Sequence, residues 1–201
     1  MTVLTLIRHG ETDWNLARRI QGSTDIPLNQ TGRAQARAAG IALREARDAA
    51  TPVTVAASDL LRARETAEII ASELGAEPPR LYRGLRERAY GEAEGVGADE
   101  FLRRWGPWNT AEVPGAEPWP TVRARALSAI GRAVRDHRRA TAPAEASLIV
   151  VAHGALIREV IRHASGGALP LEGERVPNGS AHQLLFERDR VQLLSYVGST
   201  A

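Results

Sequence analysis

Ser147-Leu148-Ile149-Val150-Val151-Ala152-His153-Gly154 is an unbroken apolar run that ends in a His-Gly pair. A strand buried on one face alternates apolar and polar residues, whereas a central strand covered on both faces does not. This run therefore reads as a central parallel strand, over Ser147–Ala152. A second run, Val3 to Ile7, passes through Arg8 into His9-Gly10 and ends the same way. Val53 to Ala57 reads as a third strand. Ala181 to Phe186 and Val191 to Val197 read as a closing pair around the charged turn Glu187-Arg188-Asp189-Arg190.

Helical patterns alternate with these strands. Thr31 to Arg47 spaces Ala and Leu at helical intervals, and Asp59 to Leu74 follows Ser58, a good N-cap, and stops at Gly75. Thr121 to Arg139 follows Pro120, and Ala155 to Ala164 stops before Gly166-Gly167. Strand and helix in alternation predict an α/β fold of βαβ units on a mainly parallel sheet. Gly91 to Pro120 is broken by Gly and Pro and holds three of the four Trp. It is expected to be a substrate-side excursion over the sheet edge within a single domain, 1–201.

Composition excludes several chemistries. The 201 residues contain no Cys, so there is no disulfide, thiolate zinc site or cysteine nucleophile. Lys is also absent, all 26 basic residues being Arg, which removes a Schiff-base lysine and the Lys of a P-loop. The pI of about 9.6 comes with a net charge of only +2. With little to titrate between neutrality and about pH 10, a small Arg excess carries the pI upward. Arg lies beside nearly as many acids and no aromatic-basic stacking motif appears, so no nucleic-acid partner is expected. No apolar run approaches the roughly 18 residues of a membrane span. The start, Met1 to Ile7, has no charged leader and reaches Arg8 early; no membrane association and a cytoplasmic location are the expectation.

The two strand-end His-Gly pairs carry the functional argument. In an open α/β sheet, ligands sit beyond the carboxyl ends of the strands. A lone His after a strand is ordinarily a satisfied, partly buried side chain. Two among only five His in the chain point instead to imidazoles facing each other across a site. The Gly after each His is expected to let backbone approach a ligand and to aim an N–H at an anion. Of the other histidines, His163 and His182 have no such setting, and His137, within Arg135-Asp136-His137-Arg138-Arg139, reads as a solvated helix end.

Arg8 precedes the first His, and Arg62 lies early in a helix, where the dipole offers a cation nothing. Reaching over the strand ends toward an anion accounts for both, since guanidinium grips phosphate with paired hydrogen bonds. Two Arg, a second His and backbone donors form a constellation for a phosphoryl group, with one neutral His as nucleophile. A leaving alkoxide needs a proton. Glu87 is the candidate acid, its protonated form favoured beside a phosphate dianion, although a surface pairing with Arg86 or Arg88 is the alternative. Asp13, Asp25 and Asp59 show no metal-ligand spacing, and no Asp-x-Asp pair or His-Glu-x-x-His helix is present.

Taken together, these segments resemble the histidine phosphatase superfamily, or phosphoglycerate mutase-like family. The resemblance runs through Leu6-Ile7-Arg8-His9-Gly10-Glu11-Thr12-Asp13-Trp14-Asn15, Ser58 to Ala67, Leu85-Arg86-Glu87 to Gly91 with Glu94-Gly95, Val151 to Gly154, and Pro177-Asn178-Gly179-Ser180. It implies a three-layer α/β/α sandwich on a mixed, mostly parallel sheet. It further implies that His9 is the nucleophile, that Arg8, Arg62 and His153 hold the phosphoryl group, and that Glu87 donates the proton. Asn15, the Gly154 N–H, and Gln21 and Ser23 of Gln21-Gly22-Ser23 are implied auxiliary phosphate contacts. Neither a metal nor another cofactor is implied, and family members are often monomers or homodimers.

Hydrolase and mutase branches differ in the cover over the site. The short stretch Val96–Pro120, with Pro114-Gly115-Ala116-Glu117, resembles the compact phosphatase branch, while Glu87-Arg88-Ala89-Tyr90-Gly91 resembles the mutase version. Arg88, Tyr90, Arg103 and Arg104 are candidate substrate contacts, the last two alternatively a solvated helix face. Phe101, Trp105, Trp108 and Trp119 read either as an apolar wall beside a leaving group or as packing. A mutase must keep its phosphoenzyme dry, and so short a cover is too slight for that. The expectation is a metal-independent phosphomonoesterase acting on a small phosphorylated metabolite. Cofactor-dependent phosphoglycerate mutase is the alternative, and a silent phosphate-binding module a remoter one.

Overall fold

In the computed structural model, residues 1–108, 110–187 and 190–199 are described. A six-stranded sheet of order β3-β2-β4-β1-β5-β6 organises the chain. Its strands are β1 (Thr2–Arg8), β2 (Val53–Ala57), β3 (Arg80–Leu81), β4 (Ser147–Ala152), β5 (Ala181–Glu187) and β6 (Arg190–Ser195). β1 to β4 run parallel, β5 is antiparallel to β1, and β6 is antiparallel to β5. The helices are α1 (Asp13–Leu16), α2 (Gln30–Ala46), α3 (Leu61–Leu74), α4 (Ala98–Trp105), α5 (Trp119–Thr141) and α6 (Gly154–Ala164).

The continuous apolar run of β4 is explained by the two layers against it. Leu148 and Val150 face α5 and α6, packing with Ile130, Val134, Leu156 and Ile157. Ile149 and Val151 face the other way, onto Ala67 and Ile70 of α3, with Leu43 of α2 beside them. The result is a three-layer α/β/α sandwich with β4 and β1 at its centre, as the sequence led one to expect.

Several details depart from the local reading. The second long helix starts at Leu61, not Asp59: Ser58 Oγ accepts from Leu60 N at 3.3 Å, and Asp25 Oδ1, remote in sequence, accepts from Leu61 N at 2.7 Å. Gly75 closes that helix in the left-handed region, at φ 62°, as a C-cap should. The excursion 91–120 contains α4, which buries Phe101 alone and stacks it on Trp108 at 3.8 Å. His137 is buried instead of solvated, because the last turns of α5 bring its Nδ1 within 2.8 Å of Thr54 Oγ1. Of the charged turn, Arg188 and Asp189 lie outside the described residues, while Glu187 and Arg190 pair across it. Among the described residues no helix is long and apolar enough to cross a membrane.

Candidate active site

The C-terminal ends of β1, β2 and β4 lie side by side, and the residues that follow them converge. His9 N donates to Ala152 O at 3.0 Å, locking the first His-Gly pair against the strand that carries the second. The rings of His9 and His153 come within 5.1 Å, inclined by 60°. A cleft of about 1190 Å³ opens over His9 and takes in Arg8, His9, Asn15, Gln21, Arg62 and Glu87, together with the Gly154 backbone, while the wholly buried His153 stands behind its lining.

His9 is 2% exposed, and its Nδ1 lies 2.7 Å from the Gly10 carbonyl. A carbonyl only accepts, so Nδ1 carries the proton and the Nε2 lone pair is left free. Burial, reinforced by the charges of Arg62 and Arg8, holds His9 well below the usual imidazole range, so the ring is neutral. His153 is fully buried, and neither of its ring nitrogens has a hydrogen-bond partner among the described residues. Burial first, then Arg62, His9 and Arg8, depress it as well.

Both cations keep a buried donor unspent. Arg62, 0% exposed, donates through Nη1 to Thr24 O and through Nη2 to Gly22 O, both at 2.8 Å, and its Nε has no partner among the described residues. Its pKa is lowered by burial, with Glu87, Asp25 and Glu94 opposing. Half-buried Arg8 donates through Nη1 to Val176 O at 2.5 Å, and its buried Nε likewise has no partner among the described residues. Burial pulls Arg8 down to about 10, Glu87 opposing this and Arg62 adding to it. Buried donors without acceptors are rare and costly, and two such guanidinium N–H groups beside two unpartnered imidazole nitrogens describe a preformed anion site.

Glu87 is not paired with its neighbours. Arg86 is engaged by Asp59, in two bonds of 2.7 Å. The Glu87 carboxylate instead seats on the N-terminus of α6, accepting from Ala155 N at 2.9 Å and Leu156 N at 3.0 Å, and from Arg88 N at 2.9 Å. Arg125 of α5 fixes the segment behind it, donating to the carbonyls of Gly84, Arg86 and Glu87. Nothing local distinguishes Arg125 from the other arginines of its helix, and its role was not legible in sequence.

The auxiliary residues divide. Asn15 Oδ1 accepts from Thr12 N and from Asn178 Nδ2, both at 3.2 Å, so its amide nitrogen is the end left for the cleft. Gln21 lines the cleft with a buried Oε1 that has no partner among the described residues. Ser23 is turned away, its N–H and hydroxyl both spent on Glu94 Oε1 at 2.8 and 2.9 Å. Burial pushes Glu94 up, but the bonds from Thr24, Ser23 and Tyr90 outweigh it and hold the carboxyl below its ordinary value. At Gly154 the missing side chain makes room for a guanidinium, since a Cβ there would stand 3.2 Å from Arg8 Nε. Gly10 does not aim its N–H at an anion: that N–H donates to Thr66 Oγ1, and a Cβ there would stand 2.3 Å from Gly32 O.

Of the candidate substrate contacts, Tyr90 and Arg103 line the cleft. Burial, then Glu87, pushes the Tyr90 phenol up, so it stays protonated. Arg88 lies between the rings of Tyr90 and Trp119, at 4.8 and 4.2 Å, and donates to Glu117 O. Arg104 packs on the Trp105 ring, 3.5 Å from Glu100. Trp108 is the one member of the aromatic group among the cleft residues, 45% exposed there. Sequence reasoning missed Arg18, Arg19, Arg158 and Arg175, which also line it. In all, seven arginines and four carboxylates do so among the described residues, a surplus suited to an anionic ligand.

Comparison with known proteins agrees with this geometry. The family model for the histidine phosphatase superfamily (branch 1) matches residues 4–198. An uncharacterized phosphatase, PhoE, of Bacillus subtilis (strain 168) is 35% identical over 196 residues, covering 98% of this chain and 94% of its own. A metal-independent phosphoserine phosphatase of Arabidopsis thaliana is 33% identical, over 80% of this chain and 67% of its own. A 2,3-bisphosphoglycerate-dependent phosphoglycerate mutase of Methylobacterium radiotolerans is also 33% identical, over 79% of this chain and 77% of its own. Among solved structures, a mycobacterial glucosyl-3-phosphoglycerate phosphatase with VO3 superimposes at a TM-score of 0.79 and 27% identity. That likeness covers 98% of this chain and 99% of the other. The chain belongs to the histidine phosphatase superfamily, branch 1, and is an enzyme of that superfamily.

Proposed function

We propose that the protein is a metal-independent phosphomonoester hydrolase of small phosphorylated metabolites, working through a phosphohistidine. The observation that carries this reading is the neutral His9, proton on Nδ1 and Nε2 free, set among Arg8, Arg62 and His153. In this scheme Nε2 attacks phosphorus, and the P–O bond to the leaving group breaks. Arg8 and Arg62 meet the equatorial oxygens with the N–H groups they have to spare. Protonated Glu87 gives its proton to the departing alkoxide. Water then attacks the phosphohistidine, Glu87 takes its proton, and inorganic phosphate leaves with His9 neutral again. Asn15, Gln21 and the Gly154 N–H are auxiliary phosphate contacts in this reading.

Hydrolysis is favoured over phosphoryl return to a second substrate because the cover is slight. The walls above His9 include Leu102 and Trp108, each 45% exposed, so water has access to the phosphoenzyme. The test is hydrolysis of p-nitrophenyl phosphate in EDTA by the wild type and by His9→Ala. Activity that persists in EDTA and vanishes in the variant is expected; an active His9→Ala protein refutes the scheme. A mutase would instead interconvert 2- and 3-phosphoglycerate under 2,3-bisphosphoglycerate, with little release of phosphate.

A further inference from the structure

His182 is wholly buried on β5, opposite Leu6 of β1, yet it takes no part in the scheme above. Its hydrogen bonds assign its tautomer. Val197 N–H donates to Nδ1 at 3.2 Å, so Nδ1 is an acceptor and the proton of the neutral ring is on Nε2. Nε2 stands 3.0 Å from Ser180 Oγ, whose own hydrogen points to the Pro177 carbonyl at 2.7 Å. The three bonds run one way: Val197 N–H to His182, Nε2–H to Ser180, and Oγ–H to Pro177.

The turn at the end of this relay holds the candidate site from below. Arg8 N donates to Ser180 O and Gly179 N donates to Arg8 O, pinning the turn to the end of β1. The Val176 carbonyl takes the Nη1 bond of Arg8. Asn178 Nδ2 donates to His9 O at 3.0 Å and to Asn15 Oδ1 at 3.2 Å. Segment 176–180 thus touches Arg8, His9 and Asn15, and its own side-chain brace is Ser180.

We propose that His182 is a positioning residue, which through Ser180 sets the turn that aims Arg8, Asn15 and the His9 backbone at the phosphoryl group. The role rests on the phosphohydrolase reading for its meaning in catalysis, but its geometry can be tested without turnover. A chain of bonds with a single direction gains from each member and fails as a unit, so removing either link should cost nearly what removing both does.

The experiment compares wild type, Ser180→Ala, His182→Leu, the double variant and His182→Gln, whose amide keeps a donor toward Ser180. Binding of inorganic phosphate is expected to weaken about tenfold in Ser180→Ala and in His182→Leu, as loss of about 1.4 kcal/mol would give. The double variant should bind no worse than His182→Leu, and His182→Gln should recover most of the loss. Nitrogen-15 NMR of wild type should place the ring proton on Nε2. A Ser180→Ala protein that binds phosphate like wild type, losses that multiply in the double variant, or a ring proton on Nδ1 would each overturn the relay. Wild type that binds phosphate but hydrolyses no ester would defeat the phosphohydrolase reading alone, leaving the relay to be judged on binding and tautomer.

Discussion

Glu87 and Ala155 are joined by a 2.9 Å bond that seats the carboxylate on the first turn of α6, one residue beyond the Gly154 N–H that borders the cleft. Placing an acid on the helix end that also faces the cleft gives Glu87 a fixed position there. If Glu87 supplies the proton, its importance must grow with the basicity of that group. Glu87→Gln is expected to lower kcat by about 10²–10⁴ on an alkyl phosphate, in the range of general acid catalysis. On p-nitrophenyl phosphate, whose leaving group needs little help, the loss should be clearly smaller. Equal losses on both substrates would remove Glu87 from that role.

Arg62 combines binding with support. Its guanidinium bonds Gly22 O and Thr24 O while its buried Nε has no partner among the described residues. Arg62→Lys keeps a charge but not the fork, so it is not expected to rescue. A drop of about 10²–10³ in kcat/KM is expected for Lys and for Ala alike, the size seen when a transition-state donor is lost. Steady-state kinetics check it; wild-type kcat/KM in Arg62→Lys would show that charge alone suffices.

Gly10 and Gly154 have similar sequence settings but different neighbours. A Cβ on Gly10 would meet the Gly32 carbonyl at 2.3 Å, backbone against backbone, whereas one on Gly154 would meet only the flexible Arg8 guanidinium, at 3.2 Å. Gly10→Ala is therefore expected to cost about 1–3 kcal/mol of stability, as overpacking does. Gly154→Ala should keep nearly the wild-type melting temperature yet raise KM several-fold by displacing Arg8. Calorimetry with parallel kinetics separates the two, and the reverse pattern would contradict this assignment.

Four histidines, His9, His137, His153 and His182, are buried, and burial lowers each of them, His182 to about 4. The unfolded chain protonates its imidazoles near pH 6.5, so below that pH it binds more protons than the folded chain does. Their contribution is present above about pH 6.5 and is lost progressively as pH falls from there toward the folded values. The melting temperature in phosphate-free buffer should fall between about pH 7 and pH 5. A flat profile over that interval would contradict the buried, neutral state.

An anion in the cleft reverses part of this balance. A phosphate or vanadate dianion beside His153 offers the opposite charge that the ring lacks, favouring its protonated form. Binding near pH 7 should then take up protons, visible in calorimetry as an enthalpy that varies with the buffer's ionisation enthalpy. No dependence on buffer would mean that both rings stay neutral in the complex.

The strands and long helices were legible because each is a local pattern. Unbroken apolar residues mark β4, helical spacing marks α2, α3 and α5, and the boundaries shifted by only a few residues. Helix α4 escaped because it is short, buries only Phe101 and sits between Gly97 and Gly106 in a stretch rich in turn formers. His137 was misjudged because the run of charges around it reads as a solvated end, yet only Arg135 and Arg139 of that run are exposed, and its own position on the helix faces Thr54.

Order along the chain pointed to Arg8, His9, Arg62 and His153, at or after strand ends that had to lie at one edge of the sheet. Glu87 rested instead on the family resemblance, its local alternative being a pairing with Arg86 or Arg88. Which way the charged side chains turn was decided only in three dimensions. Ser23, Arg88 and Arg104 are drawn off by Glu94, by Glu117 with Trp119, and by Trp105, while Arg18, Arg19, Arg158 and Arg175 line the cleft. A strand or helix is set by the residues next to each other in the chain. The direction of a guanidinium is set by whichever carbonyl, carboxylate or ring the fold brings beside it. For Arg104 that is its own neighbour Trp105, but for Arg88 it is Glu117 and Trp119, from a remote segment.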